Sequence, residues 1–239
     1  RTGVPLPLPA PWALPAIWRS AARADLVVAI EVNFIASALG FVCAKLCRRP
    51  TLVIQHVGKP STVSRVAGAI TALGERFVVR PILRAADKVV CVSPSVTNYF
   101  TGERSDILNI GHPIDTTLFR PAADGGEKGR ARASLGLPLD RPTACFVGRL
   151  TESKGIAVVE HLAGILPGWM FAVAGSGPVD VAAWGHANVR PLGHLDPQLV
   201  AQLYRACDAA ILPSPSESFS LVVREALATG IRVVCADQI

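Results

Sequence analysis

Residues 143–175, "TACFVGRLTESKGIAVVEHLAGILPGWMFAVAG", set two short apolar runs on either side of a longer one. The outer runs, Thr143–Val147 and Met170–Ala174, are rich in small and branched apolar residues and carry no charge. A strand covered on both faces reads this way. The middle run, Gly155–Leu166, has a helical pattern. Strand, helix and strand in this order make a βαβ unit with parallel strands. The same alternation extends outward. Further strands are expected at Leu26–Ile30, Thr51–Gln55, Lys88–Val92, Ile107–Ile110, Val189–Leu192, Ala209–Leu212 and Arg232–Cys235. Helices are expected at Ala36–Cys47, Ser61–Ala86, Pro197–Cys207 and Leu221–Thr229, with Pro81 kinking the second of these. The fold class is α/β.

A composition break falls at "RPAADGGEKGR", residues 120–130, which is polar, charged and glycine-rich. It reads as a linker running into the next helix. It divides the chain into two Rossmann-like domains, 1–122 and 123–239. The chain starts at Arg1 and stops just after an apolar strand, so both domains are expected to be incomplete.

Of 239 residues, 50% are hydrophobic and 18% charged, which suits two packed domains. The net charge of +6 favours anionic partners such as nucleotides or phospholipid surfaces. Without a Lys/Arg block interleaved with aromatics, nucleic acid is not expected as a partner. The uncharged stretch 32–44, "VNFIASALGFVCA", is too short to cross a bilayer. The six cysteines show no C-x-x-C or zinc spacing and read as buried, reduced thiols of a cytoplasmic protein.

In open parallel sheets, ligands collect beyond the carboxyl ends of the strands. Those ends carry Glu31, His56 with Gly58, Ser93, Gly148 with Arg149, Gly175-Ser176-Gly177, Gly193-His194, and Ser214 to Ser220. In "FVGRLTESKG" (146–155), Arg149 and Lys154 flank a loop that opens a helix, an arrangement suited to a diphosphate, although the motif alone favours ordinary solvated surface charge. In "FAVAGSGPVD" (171–180), Gly175 and Gly177 form a tight turn, but Asp180 stands where a dinucleotide fingerprint has its third glycine.

The segment "SPSESFSLVVREALATG" (214–230) places Glu217 and Glu225 around an apolar run. At 100° per residue Glu225 falls between Leu221 and Val222, within the apolar sector of a helix expected to be buried. A carboxylate there needs a partner. Ser214 and Glu217 also match a capping box. His112, His161, His186 and His194 show no ligand spacing. No D-x-D is present, so no metal is expected.

Taken in order, these segments resemble the GT-B-fold glycosyltransferases of retaining family 4. The resemblance rests on "ADKVVCVSPSV" (86–96), "IGHPIDTTLFRP" (110–121), "FVGRLTESKG", "VAGSGP" (173–178), "VRPLGHLDPQLVAQLYRACDAAILPS" (189–214) and the E-x₇-E pattern of Glu217 and Glu225. It implies two Rossmann-like domains in a GT-B-like fold and a nucleotide-diphosphate-sugar donor as co-substrate, without cofactor or metal. Arg149 and Lys154 would hold the diphosphate and stabilise the leaving group. Glu217 would contact donor-sugar hydroxyls. Ser218, Phe219, Ser220 and Leu221 would line the donor site, with Phe219, Ser220 and Leu221 presenting backbone N–H groups. Glu225 would take the ribose hydroxyls, and His56 looks like the family's strand-end histidine facing the donor sugar. Gly148, Gly175, Gly177 and His194 would lie near the diphosphate and base.

Three positions depart from the family pattern: Ser220 replaces a usual glycine, "HPID" the commoner "NGID", and Arg232 a frequent proline. The family's opening strand with its glycine-rich loop and its closing helix are not in the sequence, so the chain by itself is expected to be inactive or poorly stable. The implied acceptor is a glycan, lipid or small molecule, compatible with peripheral contact at the inner face of a membrane. A nucleotide-sugar epimerase, a phosphorylase and a non-catalytic sugar-nucleotide-binding module are the other readings.

Overall fold

The computed structural model describes residues 9–58, 65–215 and 220–236. The chain divides into two compact units, Arg1–His112 and Pro113–Ile239.

In the first unit, α1 (Leu14–Arg23) leads into β1 (Val27–Ile30), α2 (Ile35–Leu46) and β2 (Thr51–Gln55). Then come α3 (Arg65–Gly74), a π-helical turn (Glu75–Val79), α4 (Arg80–Ala85), β3 (Lys88–Cys91), α5 (Pro94–Phe100) and the short β4 (Leu108–Asn109). The strands pair in parallel in the order β1-β2-β3-β4. Val53, Val89 and Cys91 of the sheet are fully buried against Phe41, Ile82, Leu83 and Phe100 of the helices. The kink expected at Pro81 is instead a π-helical turn ending just ahead of it. Pro81 has no N–H to give, and a wider turn absorbs the missing bond of the helical ladder. Two helices went unread in the sequence, α1 and α5. The α5 helix is set by Ser93, whose Oγ accepts the Val96 N–H, and by Pro94 at its first position.

The second unit comprises α6 (Gly125–Ser134), β5 (Thr143–Val147), α7 (Ile156–Ile165), β6 (Met170–Ala174), β7 (Val189–Gly193), α8 (Pro197–Ala206), β8 (Ala209–Leu212), α9 (Leu221–Ala228) and β9 (Arg232–Cys235). All five strands are parallel, in the order β7-β6-β5-β8-β9. Alternation along β5 and β6 explains their unbroken apolarity. Ala144, Phe146, Phe171 and Val173 face a core closed by α7, while Cys145, Ala172 and Ala174 face the other core, closed by α6, α8 and α9. Residues 113–122, read as the end of the first domain, pack on this second core. Phe119 is buried in it, Ile114 and Leu118 lie against it, and Arg205 Nη1 donates to the Leu118 carbonyl.

Both units use one device to fix strand register. Asp87, just before β3, accepts the backbone N–H of Thr51 at the start of β2 (2.8 Å) and its hydroxyl (2.7 Å). Asp208, just before β8, accepts the backbone N–H of Thr143 at the start of β5 (2.8 Å). Asp208 also meets Lys128 Nζ at 2.5 Å and Arg132 Nη2 at 2.7 Å. Burial pushes its pKa up, but the hydrogen bonds from Lys128 and Thr143 and the two cations outweigh that and bring it below the ordinary aspartate range. A depressed carboxylate pKa gives stability that is present above the unfolded pKa and lost as pH falls through the folded one. Asp208→Asn is therefore expected to destabilise the second unit by about 2–4 kcal/mol at neutral pH, because it strands the buried Arg132. The deficit should shrink below about pH 4 in urea titrations; a deficit independent of pH would contradict the assignment.

Of the six cysteines, Cys91, Cys145 and Cys207 are buried, Cys43 and Cys47 are half-buried on α2, and Cys235 is exposed; all are free thiols. The expectation of uniformly buried thiols thus fails at Cys43, Cys47 and Cys235, where helix α2 and the edge strand β9 turn residues outward. Among the described residues, no helix is long and apolar enough to cross a membrane.

Candidate functional site

The strand order of the second sheet decides where its site lies. From β5 the chain winds through β6 to β7 on one side, then returns to place β8 on the other. The reversal puts a crevice beyond the carboxyl ends of β5 and β8, where the loops leave in opposite directions. The loop leaving β5 carries Gly148, Arg149 and Lys154.

Glycines hold these loops against one another. Gly155, with φ 72°, sits against the Pro213 carbonyl at the end of β8; a Cβ there would overlap it. Gly175, with φ 145°, lies on the Gly148 carbonyl, and Gly177 lies on Leu150, each too close for any side chain. Hydrogen bonds tie the same loops together: Gly148 N–H to Ala174 O (3.0 Å), Leu150 N–H to Ser176 O (2.9 Å) and Gly175 N–H to Gly193 O (2.7 Å). The β6–β7 register slips between Val173 and Ala174, pairing Ala174 with Gly193 and re-aiming the loop that bears His194.

On this floor Arg149 and His194 are exposed and Lys154 is half-buried. The α7 helix opens directly after Lys154, with Gly155 as its N-cap and no side chain capping it. Two cations beside a helix N-terminus give an electropositive rim. The structure thus brings together Gly148, Arg149, Lys154, Gly175, Gly177 and His194. Glu217, Ser218 and Phe219 lie outside the described residues.

The α9 helix starts at Leu221, and its N-cap is Ser220, whose Oγ accepts the Val223 N–H at 3.3 Å. The capping box read at Ser214 and Glu217 lies partly outside the described residues; Ser214 itself is fully buried, and its Oγ has no hydrogen-bond partner. Ser220, the residue in place of a usual glycine, takes the capping role. Nor is α9 buried all round, since Leu221 is 43% and Leu227 57% exposed. Periodicity cannot tell a buried apolar helix from one covered on a single side. Glu225 is half-buried and lies near Tyr204 of α8, whose hydroxyl donates to the Val222 carbonyl at 3.5 Å. Burial raises the Glu225 pKa, and the Tyr204 hydrogen bond offsets part of that rise.

In the first unit, His56 follows β2 and is half-buried. Its ring stacks on His112, with centroids 5.0 Å apart and planes at 21°. His112 carries no local signal in the sequence; the stack joins a residue just after β2 to one just after β4. Among the described residues, no group of three or more His, Cys, Asp or Glu side chains is placed to hold a metal ion.

Residues 127–239 match the family model "Glycosyl transferases group 1". D-inositol 3-phosphate glycosyltransferase of Mycobacterium tuberculosis (strain H37Rv) is 37% identical over 145 residues, covering 54% of this chain and 29% of that protein. The chain therefore spans less than a third of the curated relatives it matches. Among solved structures, Anabaena Alr3699/HepE in complex with UDP superimposes with a TM-score of 0.77 at 20% identity, over 94% of this chain and 63% of that one. Sucrose-phosphate synthase from Thermosynechococcus elongatus gives 0.74 at 24% identity, over 95% and 60%. The chain has a GT-B-like fold, and its second unit carries the sequence pattern of the group 1 glycosyl transferases.

Proposed function

We propose that the protein is a nucleotide-sugar-dependent glycosyltransferase of retaining family 4, working without a metal. The observation that carries this reading is the β5–β8 crevice: a glycine floor, two cations and a helix N-terminus, within the residues that match the group 1 model. In this reading Arg149 and Lys154 stabilise the departing nucleoside diphosphate through charge already in place. Gly148, Gly175 and Gly177 let phosphate approach the backbone, and His194 lies beside the base. Phe219, Ser220 and Leu221 offer backbone N–H groups to the donor, and Ser218 lines the same site. Glu217 takes hydroxyls of the sugar, Glu225 those of the ribose, and His56 contacts the sugar. The first unit serves the acceptor side and the second, with residues 113–122 packed on it, the donor side. The acceptor is a glycan, lipid or small molecule reached in the cytoplasm or at the membrane's inner face, to which the net charge of +6 draws the protein.

Thermal shifts of the full-length gene product with UDP-, GDP- and ADP-sugars, followed by detection of released nucleoside diphosphate, test the reading. Uridine species come first, since the Anabaena structure holds UDP. At a hundredfold excess over Kd, the right donor stabilises by about 2.7 kcal/mol. No shift with any of the three overturns the donor site; a shift without turnover identifies a binding module.

Glu225 gives this reading a pH signature. Its raised pKa means that, as pH falls toward and through a value above the ordinary glutamate range of about 4.3, the carboxylate gains a proton and loses acceptor capacity. Nucleoside diphosphate affinity is expected to fall with it, measured by calorimetry between pH 7 and 5. Folding runs the opposite way: a raised pKa contributes stability that is present at low pH and lost as pH rises. In Glu225→Gln, affinity at pH 7 should drop about tenfold, the cost of one charged hydrogen bond, and the slope should vanish. An equal slope in the variant would remove Glu225 from the ribose site.

A further inference from the structure

Beyond the carboxyl end of β1, Glu31 adopts φ 53°, a left-handed conformation costly for a residue with a side chain. The strain is repaid by what its buried carboxylate reaches. Oε1 accepts the backbone N–H of His56, in a short contact, and that of Val57 at 3.0 Å. Oε2 accepts Asn33 Nδ2 at 3.1 Å and Gln55 Nε2 at 3.4 Å. Four donors fix the carboxylate in place.

Glu31 Oε1 also lies 3.4 Å from Nδ1 of His56. That nitrogen is buried and makes no hydrogen bond, so the exposed 31% of the side chain excludes it. The His112 ring covers one face of the imidazole. A carboxylate oxygen beside Nδ1 favours the tautomer with its proton on Nδ1 over the one with its proton on Nε2.

We infer that Glu31 is a positioning residue for His56: with His112 holding the ring plane, it fixes the Nδ1–H tautomer, so that Nε2 accepts a hydrogen bond from a hydroxyl of the bound sugar. The inference rests on the glycosyltransferase reading for its ligand, but not for its geometry. A rotating histidine would present donor and acceptor about equally to a hydroxyl; a fixed one selects for a hydroxyl that donates.

Long-range 1H–15N spectra of the histidine rings at pH 8 test the tautomer without any substrate. The expected result is Nδ1–H for His56 in the wild-type protein and movement toward Nε2–H in Glu31→Gln. Finding Nε2–H or an imidazolium in the wild type, or no change in a folded Glu31→Gln, overturns the inference. The wild-type spectrum decides even if the variant does not fold.

Kinetics supply the second readout. Glu31→Gln should lower kcat about 10- to 100-fold with little change in nucleoside diphosphate affinity. The double variant with His56→Ala should be no slower than His56→Ala alone, because Glu31 acts through that ring. Additive losses would overturn the assignment. Absence of nucleotide binding in the wild type would instead overturn the transferase reading, leaving the tautomer result standing.

Discussion

Replacing Arg149 with alanine is expected to lower kcat by 10²–10³-fold, the cost of removing one preorganised donor from a developing anion. The side chain is exposed at the rim of the β5–β8 crevice, so its removal leaves no buried cavity and stability should change by less than about 0.5 kcal/mol. Arg149→Lys should recover only part of the rate, because an ammonium cannot match the two-pronged geometry of a guanidinium on a phosphate. Lys154→Ala should act in the same direction. The two together should cost less than the product of their separate effects if both contact one diphosphate. Released nucleoside diphosphate, measured under saturating donor, checks this. An Arg149→Ala enzyme with full turnover would return Arg149 to ordinary surface charge.

The second large effect is structural. Gly175→Ala is expected to destabilise the second unit by about 3–5 kcal/mol, adding backbone strain at φ 145° to overlap with the Gly148 carbonyl. Neither side can give way, because Gly148 and Gly175 are each anchored by a backbone hydrogen bond to a neighbouring strand or loop. Gly185→Ala is the control. Its φ of 68° carries the same kind of strain, but nothing lies within 4 Å of the added methyl, so the cost should stay near 1–2 kcal/mol. Urea midpoints of the two variants separate overlap from strain. Equal losses would mean that the close contact of the loops contributes nothing.

These predictions stand on features that were unequally legible in the sequence. Strands β2, β5, β6, β8 and β9 match their expected bounds because each is a short run rich in small and branched apolar residues, ended by a loop. The helix α1, with Trp18 exposed on it and Trp12 exposed just before it, carries little signal because it buries little beyond Ala21. At the candidate site, Arg149, Lys154, Gly175 and Gly177 were readable as residues following strand ends. Which strand ends adjoin was not, since order in a sheet depends on pairings between residues far apart in sequence.

The sequence by itself determined the α/β class, the positions of most strands and the residues able to meet a phosphate, because local apolar pattern and glycine placement encode these directly. Only the tertiary structure decided that β8 returns beside β5, that Gly155 meets Pro213 there, that Ser220 caps α9, and that Glu225 meets Tyr204. It alone placed Glu31 and His112 around His56. Each of these is a contact across dozens of residues or a choice between equivalent local partners. Such choices are made by the packing of the whole sheet, which no short stretch of chain contains.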